Sequence, residues 1–457
     1  MAKFLFTVWP YPGHVNPALA IAHALRDRGH EAAFYTGNAA RPLVEAEGFR
    51  YFPFRKFDGA RIEALFQKRS AHFTPRWQRL PNAFAAYIYG VFRAREIKAV
   101  LKEYLLDTVP LQLEDLKAAQ MDCRPDVIVC DASLWAPILV LQETSRVPVA
   151  VFCPSAACYL PGPDVPAWGR GLPRPRNWHM RLRSKLERQL VSWLSADFRA
   201  AANAIRREHG LPPLRISVTE FTGQMPLYLV PSTREFDYGR QDLPASVHYV
   251  GPCFWDKPND EPPPAWLAQL SPEVPVVHVT EGTIHVDEPV LLRAAYRAFA
   301  NRPVQLVMTT GRHRDPVELD LGPPAPNVRV ERYVPHSDLL PRTAVVVTSG
   351  GAGTLMKALK AGVPMVVVPD GWDQPDQAQR VVEAGAGLRL ERNHCTPERL
   401  RAAVERVVNE PSFRENAQRL AAGFARYRGP DRAAELLEGL ASAPFVPPQP
   451  ASFSTAN

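Results

Sequence analysis

The sequence predicts an α/β fold in two doubly wound parallel domains, and three observations carry that prediction. The first forty residues alternate an apolar strand, an amphipathic helical stretch and a second apolar strand, which is the βαβ start of a parallel sheet. The stretch 251–264 is rich in proline and charge and has no periodicity, and the α/β pattern restarts after it at Val274–Val279. Between residues 333 and 381 an apolar strand runs into a glycine cluster and a helix, and another strand and helix follow. A chain of 457 residues suffices for two or three domains, at about 100–200 residues each.

In chain order, Phe4–Trp9 reads as a strand broken by Pro10-Tyr11-Pro12-Gly13-His14. The next helix is predicted to start with Asn16 as N-cap and Pro17 at the first helical position. Ala18, Leu19, Ile21, Ala22 and Leu25 form its apolar face, and Glu31–Tyr35 is the second strand. Residues 51–119 are less regular. Phe66, Phe73, Trp77, Phe84, Tyr87, Tyr89 and Phe92 alternate with Arg and Lys there, as in helices flanking a cleft. Val127–Cys130 is a buried strand, Ala132–Thr144 a helical stretch and Pro148–Phe152 a further strand. Pro154–Trp178 is a long irregular loop, and such loops often serve as lids or binding loops. Arg181–His209 is basic and helical, with Leu182, Leu186, Leu190, Trp193 and Leu194 on it. Such a face ordinarily packs on its own domain, so no membrane contact is expected.

Met225–Val230 and His248–Val250 close a first domain, 1–250, and 251–264 is the linker. The second domain, 265–410, holds strands at Val274–Val279, Val304–Thr309, Asn327–Glu331, Ala344–Thr348 and Met365–Val368. Its helices include Glu288–Ala300 and Pro397–Asn409; a last helical stretch, Phe413–Leu440, precedes a Pro/Ser-rich tail, 441–457, expected to be disordered.

The chemistry concentrates where strands meet loops. Ser349-Gly350-Gly351-Ala352-Gly353-Thr354 joins a buried strand to a helix N-terminus. Glycines let backbone N–H groups approach an anion, and the helix dipole favours negative charge there. The next strand is followed by Asp373-Gln374, a carboxylate and an amide. Phosphate donors followed by sugar-hydroxyl partners suit an activated sugar. His14 follows the first strand and Asp131 lies at the carboxyl end of the Val127–Cys130 strand, so both face the crevice outside the carboxyl ends of the strands. A histidine's ordinary pKa of ~6.5 suits deprotonation of a hydroxyl near neutral pH. A carboxylate beside it would orient the ring; the competing reading of Asp131 is a helix N-cap for Ala132–Thr144. Asp126 opens its strand and belongs at the opposite edge of the sheet.

These segments resemble the donor-binding signature of the GT-B glycosyltransferases of the UDP-glycosyltransferase type, which include plant and bacterial natural-product enzymes. The resemblance implies GT-B architecture, two Rossmann-like domains facing each other across a cleft, with the last helix crossing back to the first domain. It implies that Tyr333, Val334 and His336, in Tyr-Val-Pro-His, hold the nucleotide base. Ser349, Gly350, Gly351, Gly353 and Thr354 would hold the phosphates with Thr283, and Asp373 and Gln374, in Pro369–Ala378, the sugar. Gly13-His14-Val15-Asn16-Pro17 matches the family's GHxxP motif, so His14 is expected as general base and Asp131 as its partner. Phe84, Tyr87 and Trp135 are the candidates for acceptor contact. The expectation is an inverting, metal-independent hexosyl transfer from a UDP- or dTDP-sugar to a small hydrophobic phenolic, polyketide or macrolide acceptor. The alternatives are a sugar-nucleotide epimerase and a non-catalytic auxiliary protein.

Three departures from the family pattern stand out. Ser349 replaces a histidine on the diphosphate, Lys357 a glutamate on the ribose, and Gln377 an asparagine. A lost ribose carboxylate matters least for a deoxyribose nucleotide such as dTDP. Asp370-x-x-Asp373 approaches a metal motif without matching one.

Composition excludes other classes. No uncharged apolar run reaches the ~18 residues of a membrane helix. The N-terminus reads as a strand rather than a signal peptide, so no export is expected. The six cysteines lack metal-ligand spacing and read as reduced thiols of a cytoplasmic protein, monomer or homodimer. The net charge of +7 comes from scattered arginines, which suits anionic nucleotides but not a nucleic-acid stripe.

Overall fold

The computed structural model describes residues 1–56, 98–255, 262–282, 289–311 and 314–444. Two parallel sheets are present. The first has seven strands in the order β3-β2-β1-β4-β5-β6-β7: β1 Lys3–Thr7, β2 Glu31–Thr36, β3 Arg50–Pro53, β4 Val127–Asp131, β5 Val149–Phe152, β6 Leu227–Val230 and β7 Val247–Tyr249. The second has six strands in the order β10-β9-β8-β11-β12-β13: β8 Val276–Thr280, β9 Gln305–Thr309, β10 Val328–Glu331, β11 Thr343–Thr348, β12 Met365–Val367 and β13 Gly387–Arg389. Strand residues alternate between two packed faces. Leu5, Ile128 and Val151 enter one core of the first sheet, and Phe4, Phe6, Val127 and Val129 the other. Both faces are covered, which is why these strands read as continuous apolar runs.

The order of each sheet reverses once, at β1/β4 in the first and at β8/β11 in the second. Parallel sheets of this kind open a crevice at that reversal, outside the carboxyl ends of the strands. His14 and Asp131 lie at the first reversal, and the 349–354 loop lies at the second.

Helix α1, Pro12–Asp27, starts five residues earlier than its composition suggests. Pro12 takes the first helical position, where its missing N–H costs nothing. Pro17 therefore lies inside the helix, and His14 sits in the first turn rather than in a loop. The predicted helix 132–144 contains a π-helical segment, Pro137–Leu141, running into Gln142–Thr144. The stretch 181–209 is two helices, α2 Trp178–Leu194 and α3 Ala196–Glu208. In the second domain α4 is Val290–Phe299, α5 His336–Leu339, α6 Ala352–Lys360, α7 Gln374–Glu383 and α8 Pro397–Asn409.

The predicted last helix is also two, α9 Pro411–Phe424 and α10 Gly429–Ser442. Gly429-Pro430 starts the second of them, because proline ends one helix and opens the next. Ala433, Ala434 and Leu437 of α10 join the core of the first sheet. Glu438 accepts bonds from Arg28 at 2.9 Å and lies 2.7 Å from His30 Nε2, so α10 packs against the first domain. Most of the predicted linker and tail, 256–261 and 445–457, lie outside the described residues.

Candidate active site

Asp131 is the last residue of β4 and is completely buried. Its Oδ1 accepts from the Ser133 backbone N–H at 2.8 Å and from the Ser133 hydroxyl at 2.7 Å. Its Oδ2 lies 2.5 Å from His14 Nδ1. An ionised carboxylate only accepts, so the proton in this contact belongs to Nδ1. That tautomer leaves the Nε2 lone pair available on a side chain 23% exposed. The arrangement is that of a base oriented by a carboxylate. Asp126 is at the other end of β4, where it accepts from the Lys3 N–H at 2.8 Å, as its place in the strand predicts.

Aromatic rings wall the dyad. Tyr11 packs edge-on to His14 at 5.8 Å. Trp9 stacks on Tyr104 at 4.1 Å, and Tyr104 in turn meets Trp372 of the second domain at 6.3 Å. Trp135, expected to contact the acceptor, is instead 7% exposed within the first-domain core and donates from Nε1 to Ala132 O. Phe84, Tyr87 and Thr283 lie outside the described residues.

At the second reversal, Gly350 has φ of +90°, and a Cβ there would sit 2.7 Å from Val367 Cγ1. Only glycine fits that turn. Gly351 and Gly353 would meet nothing within 4 Å, so room remains beside the backbone for a ligand. Helix α6 has Gly351 as N-cap, with no side-chain cap and no acidic residue in its first turn. The N–H groups of Ala352, Gly353 and Thr354 thus have no carbonyl within their own helix to bond. The Ser349 hydroxyl donates to Glu281 O at 3.0 Å. Gly350 N–H is likewise turned to Thr348 Oγ1 at 3.3 Å.

Asp373 is the N-cap residue of α7, and its Oδ2 accepts from Ser155 Oγ of the first domain at 2.7 Å and from Gln377 Nε2 at 3.3 Å. Gln374 Oε1 accepts from Asp370 N–H at 2.9 Å and so fixes its own loop. Asp370 pairs with Arg392 at 2.5 Å. The two acids nearest to a metal motif, Asp370 and Asp373, therefore engage different partners. Of the base-site candidates, Tyr333 is 52% exposed and Val334 is buried beneath it. His336 opens α5 and packs edge-on to His278 at 5.6 Å. Burial, with His278 and Lys357 nearby, lowers the His336 pKa to about 3, so the ring is neutral at pH 7. Lys357 is half-buried with its ammonium 5.9 Å from the Phe254 ring.

Helix α7 also contacts the 154–177 loop and the segment after β6 of the first domain, a set of contacts invisible in the sequence. Asp376 accepts from Gly169 and Gly171 N–H at 2.5 and 2.7 Å. Arg380 pairs with the completely buried Asp237 at 2.8 Å. Ser155 follows β5 at a carboxyl end, and that position could have marked it as a site residue.

Two parallel domains, each with a polar site at its strand-order reversal, define the class: a two-domain α/β enzyme of GT-B architecture. Known proteins agree. The family described as erythromycin biosynthesis protein CIII-like, C-terminal domain, matches residues 307–440. The 4'-demethylrebeccamycin synthase of Lentzea aerocolonigenes is 35% identical over 444 residues, covering 96% of this chain and 99% of that protein. The demethyllactenocin mycarosyltransferase of Streptomyces fradiae is 28% identical, covering 97% and 87%. In fold, the chain is similar to the solved glycosyltransferase of kitacinnamycin, with TM-score 0.69 and 23% identity over 96% of this chain and 99% of that one. A calicheamicin glycosyltransferase follows with TM-score 0.67 and 24% identity, covering 96% and 98%. The chain belongs to the bacterial natural-product glycosyltransferases of the UDP-glycosyltransferase type. It is a glycosyltransferase. No described helix is long and apolar enough to cross a membrane.

Proposed function

We propose that the protein transfers a hexose, with inversion, from a nucleoside diphosphate sugar to a hydroxyl of a small hydrophobic natural product. The observation that carries this reading is the 2.5 Å contact between His14 Nδ1 and buried Asp131 at the reversal of the first sheet. His14 Nε2 takes the proton of the acceptor hydroxyl while its oxygen attacks the anomeric carbon. The bond to the diphosphate oxygen breaks on the opposite face. Asp131 holds the ring and compensates the charge that arises on it.

The N–H groups of Ala352, Gly353 and Thr354 and the α6 N-terminus receive the departing diphosphate, with no metal needed; each helix-dipole contact contributes roughly 0.3–1 kcal/mol. Asp373 and Gln374 hold sugar hydroxyls, and Tyr333, Val334 and His336 hold the base. The protein works in the cytoplasm. Lys357, in place of a ribose-binding carboxylate, supports dTDP preference or dual donor use.

The test is to incubate the protein with UDP- and dTDP-sugars and a panel of phenols and macrolides, and to read products by mass spectrometry. A glycoside is the expected result; bound nucleotide without glycoside, or an altered sugar nucleotide alone, refutes the reading. Competition between dTDP-glucose and UDP-glucose, in wild type and Lys357→Glu, tests donor choice. Strict UDP use unchanged by the substitution overturns it.

A further inference from the structure

Helix α2 carries its apolar side outward. Trp178, Leu182, Leu186, Leu190 and Trp193 are 65%, 49%, 57%, 54% and 73% exposed. At helical spacing these five occupy one third of the circumference. The opposite side is the one that packs on the domain, and it does so with polar groups: Ser184 is buried and its hydroxyl donates to Val165 O at 3.2 Å, as does Arg188 Nη1. An ordinary surface helix is arranged the other way round. The expectation that this face packs on its own domain is therefore not met, and an exposed apolar stripe of this size marks a contact surface.

The residues around the stripe indicate what covers it. Arg181, Arg183 and Lys185 flank it, and Glu187 is the one acid on the helix. Arg183 and Arg170 lie 3.0 and 3.6 Å from Glu187, and Arg181 lies 3.1 Å from Asp164. The arginines of these pairs are 58–68% exposed, so the pairs are weak and exchange readily for other anions. Trp178, with His179 stacked on it at 3.4 Å, and Trp193 stand at the two ends, and indoles favour the headgroup layer of a bilayer. A second copy fits poorly, because stripe-to-stripe pairing sets these cations against their own kind. We propose that α2 lies in the interface of an anionic lipid surface, with the stripe inserted and Arg181, Arg183 and Lys185 among the headgroup phosphates.

The full chain is sedimented with vesicles of phosphatidylcholine alone and of phosphatidylcholine with phosphatidylglycerol, while Trp emission is followed. The expected result is binding to the anionic vesicles that weakens as salt is raised, with a blue shift. Lys185→Glu and Arg183→Glu should each weaken it by about fivefold. Leu186→Glu with Trp193→Glu should abolish it while transfer to a soluble acceptor is unchanged; both positions are exposed, so the fold is kept. Absence of binding to either vesicle, or binding unaltered in the double variant, overturns the proposal. So does light scattering that shows a wild-type dimer turned monomer by the double variant, which assigns the stripe to a second copy.

Discussion

Replacing Asp131 with asparagine tests the dyad without altering its shape. Oδ1 of Asp131 already takes two donors, the Ser133 N–H at 2.8 Å and the Ser133 hydroxyl at 2.7 Å. An asparagine therefore keeps its carbonyl oxygen on that side and turns its NH2 toward His14. Nδ1 must then accept rather than donate, which moves the ring proton to Nε2 and removes the lone pair that would take the acceptor proton. The loss is that of the whole general base, ~10²–10⁴ in rate, or about 3–5 kcal/mol of transition-state stabilisation. The assay is kcat/KM for an aliphatic alcohol acceptor, with donor affinity measured in parallel by calorimetry. Donor affinity should hold, since Asp131 lies at the other reversal. An Asp131→Asn enzyme within about fivefold of wild type on the alcohol would refute the reasoning.

Three further outcomes are expected. Asp373→Ala should lower turnover far more than affinity for the free nucleoside diphosphate; equal loss of both would place Asp373 outside the sugar subsite. Asp237→Ala leaves Arg380 buried against Tyr238 without its carboxylate, and breaking such a pair costs about 3–5 kcal/mol. Thermal unfolding should fall by several degrees, and a shift under about 1 °C would show that the inter-domain contact is not stabilised by this pair. Burial lowers the pKa of fully buried His278 to about 4, so its contribution is present above the unfolded value of ~6.5 and is lost as pH falls toward 4. Urea unfolding at pH 5 against pH 7 should show roughly 2 kcal/mol of lost stability from this group. His278→Gln should flatten that limb, and an unchanged acid limb would contradict the assignment.

Most strands of both sheets were legible because a strand buried on two faces is a run such as Val127–Cys130; the short edge strands β3 and β13, which are only partly buried, were not. The glycine loop and His14 were legible because a turn at φ of +90° and a strand-end histidine are local features. What was not legible was set by tertiary packing. Pro12 and Pro17 both look like helix starts, and the helix began at the first. Trp135 follows a site residue but turns into the core. The Ser349 hydroxyl found Glu281 O, a partner sixty-eight residues away that no local pattern announces. The contacts of Asp376 with the 154–177 loop and of Arg380 with Asp237 likewise depend on how the two domains meet.

The most direct test of base-assisted inverting transfer is the anomeric configuration of the glycoside made from an α-linked sugar nucleotide, determined by NMR, together with the rate of His14→Ala on the same unactivated alcohol. The structure predicts a β-glycoside and a rate lowered by ~10²–10⁴ with donor binding kept. An α-glycoside, or a His14→Ala enzyme that turns over the alcohol at near-normal rate, would contradict it.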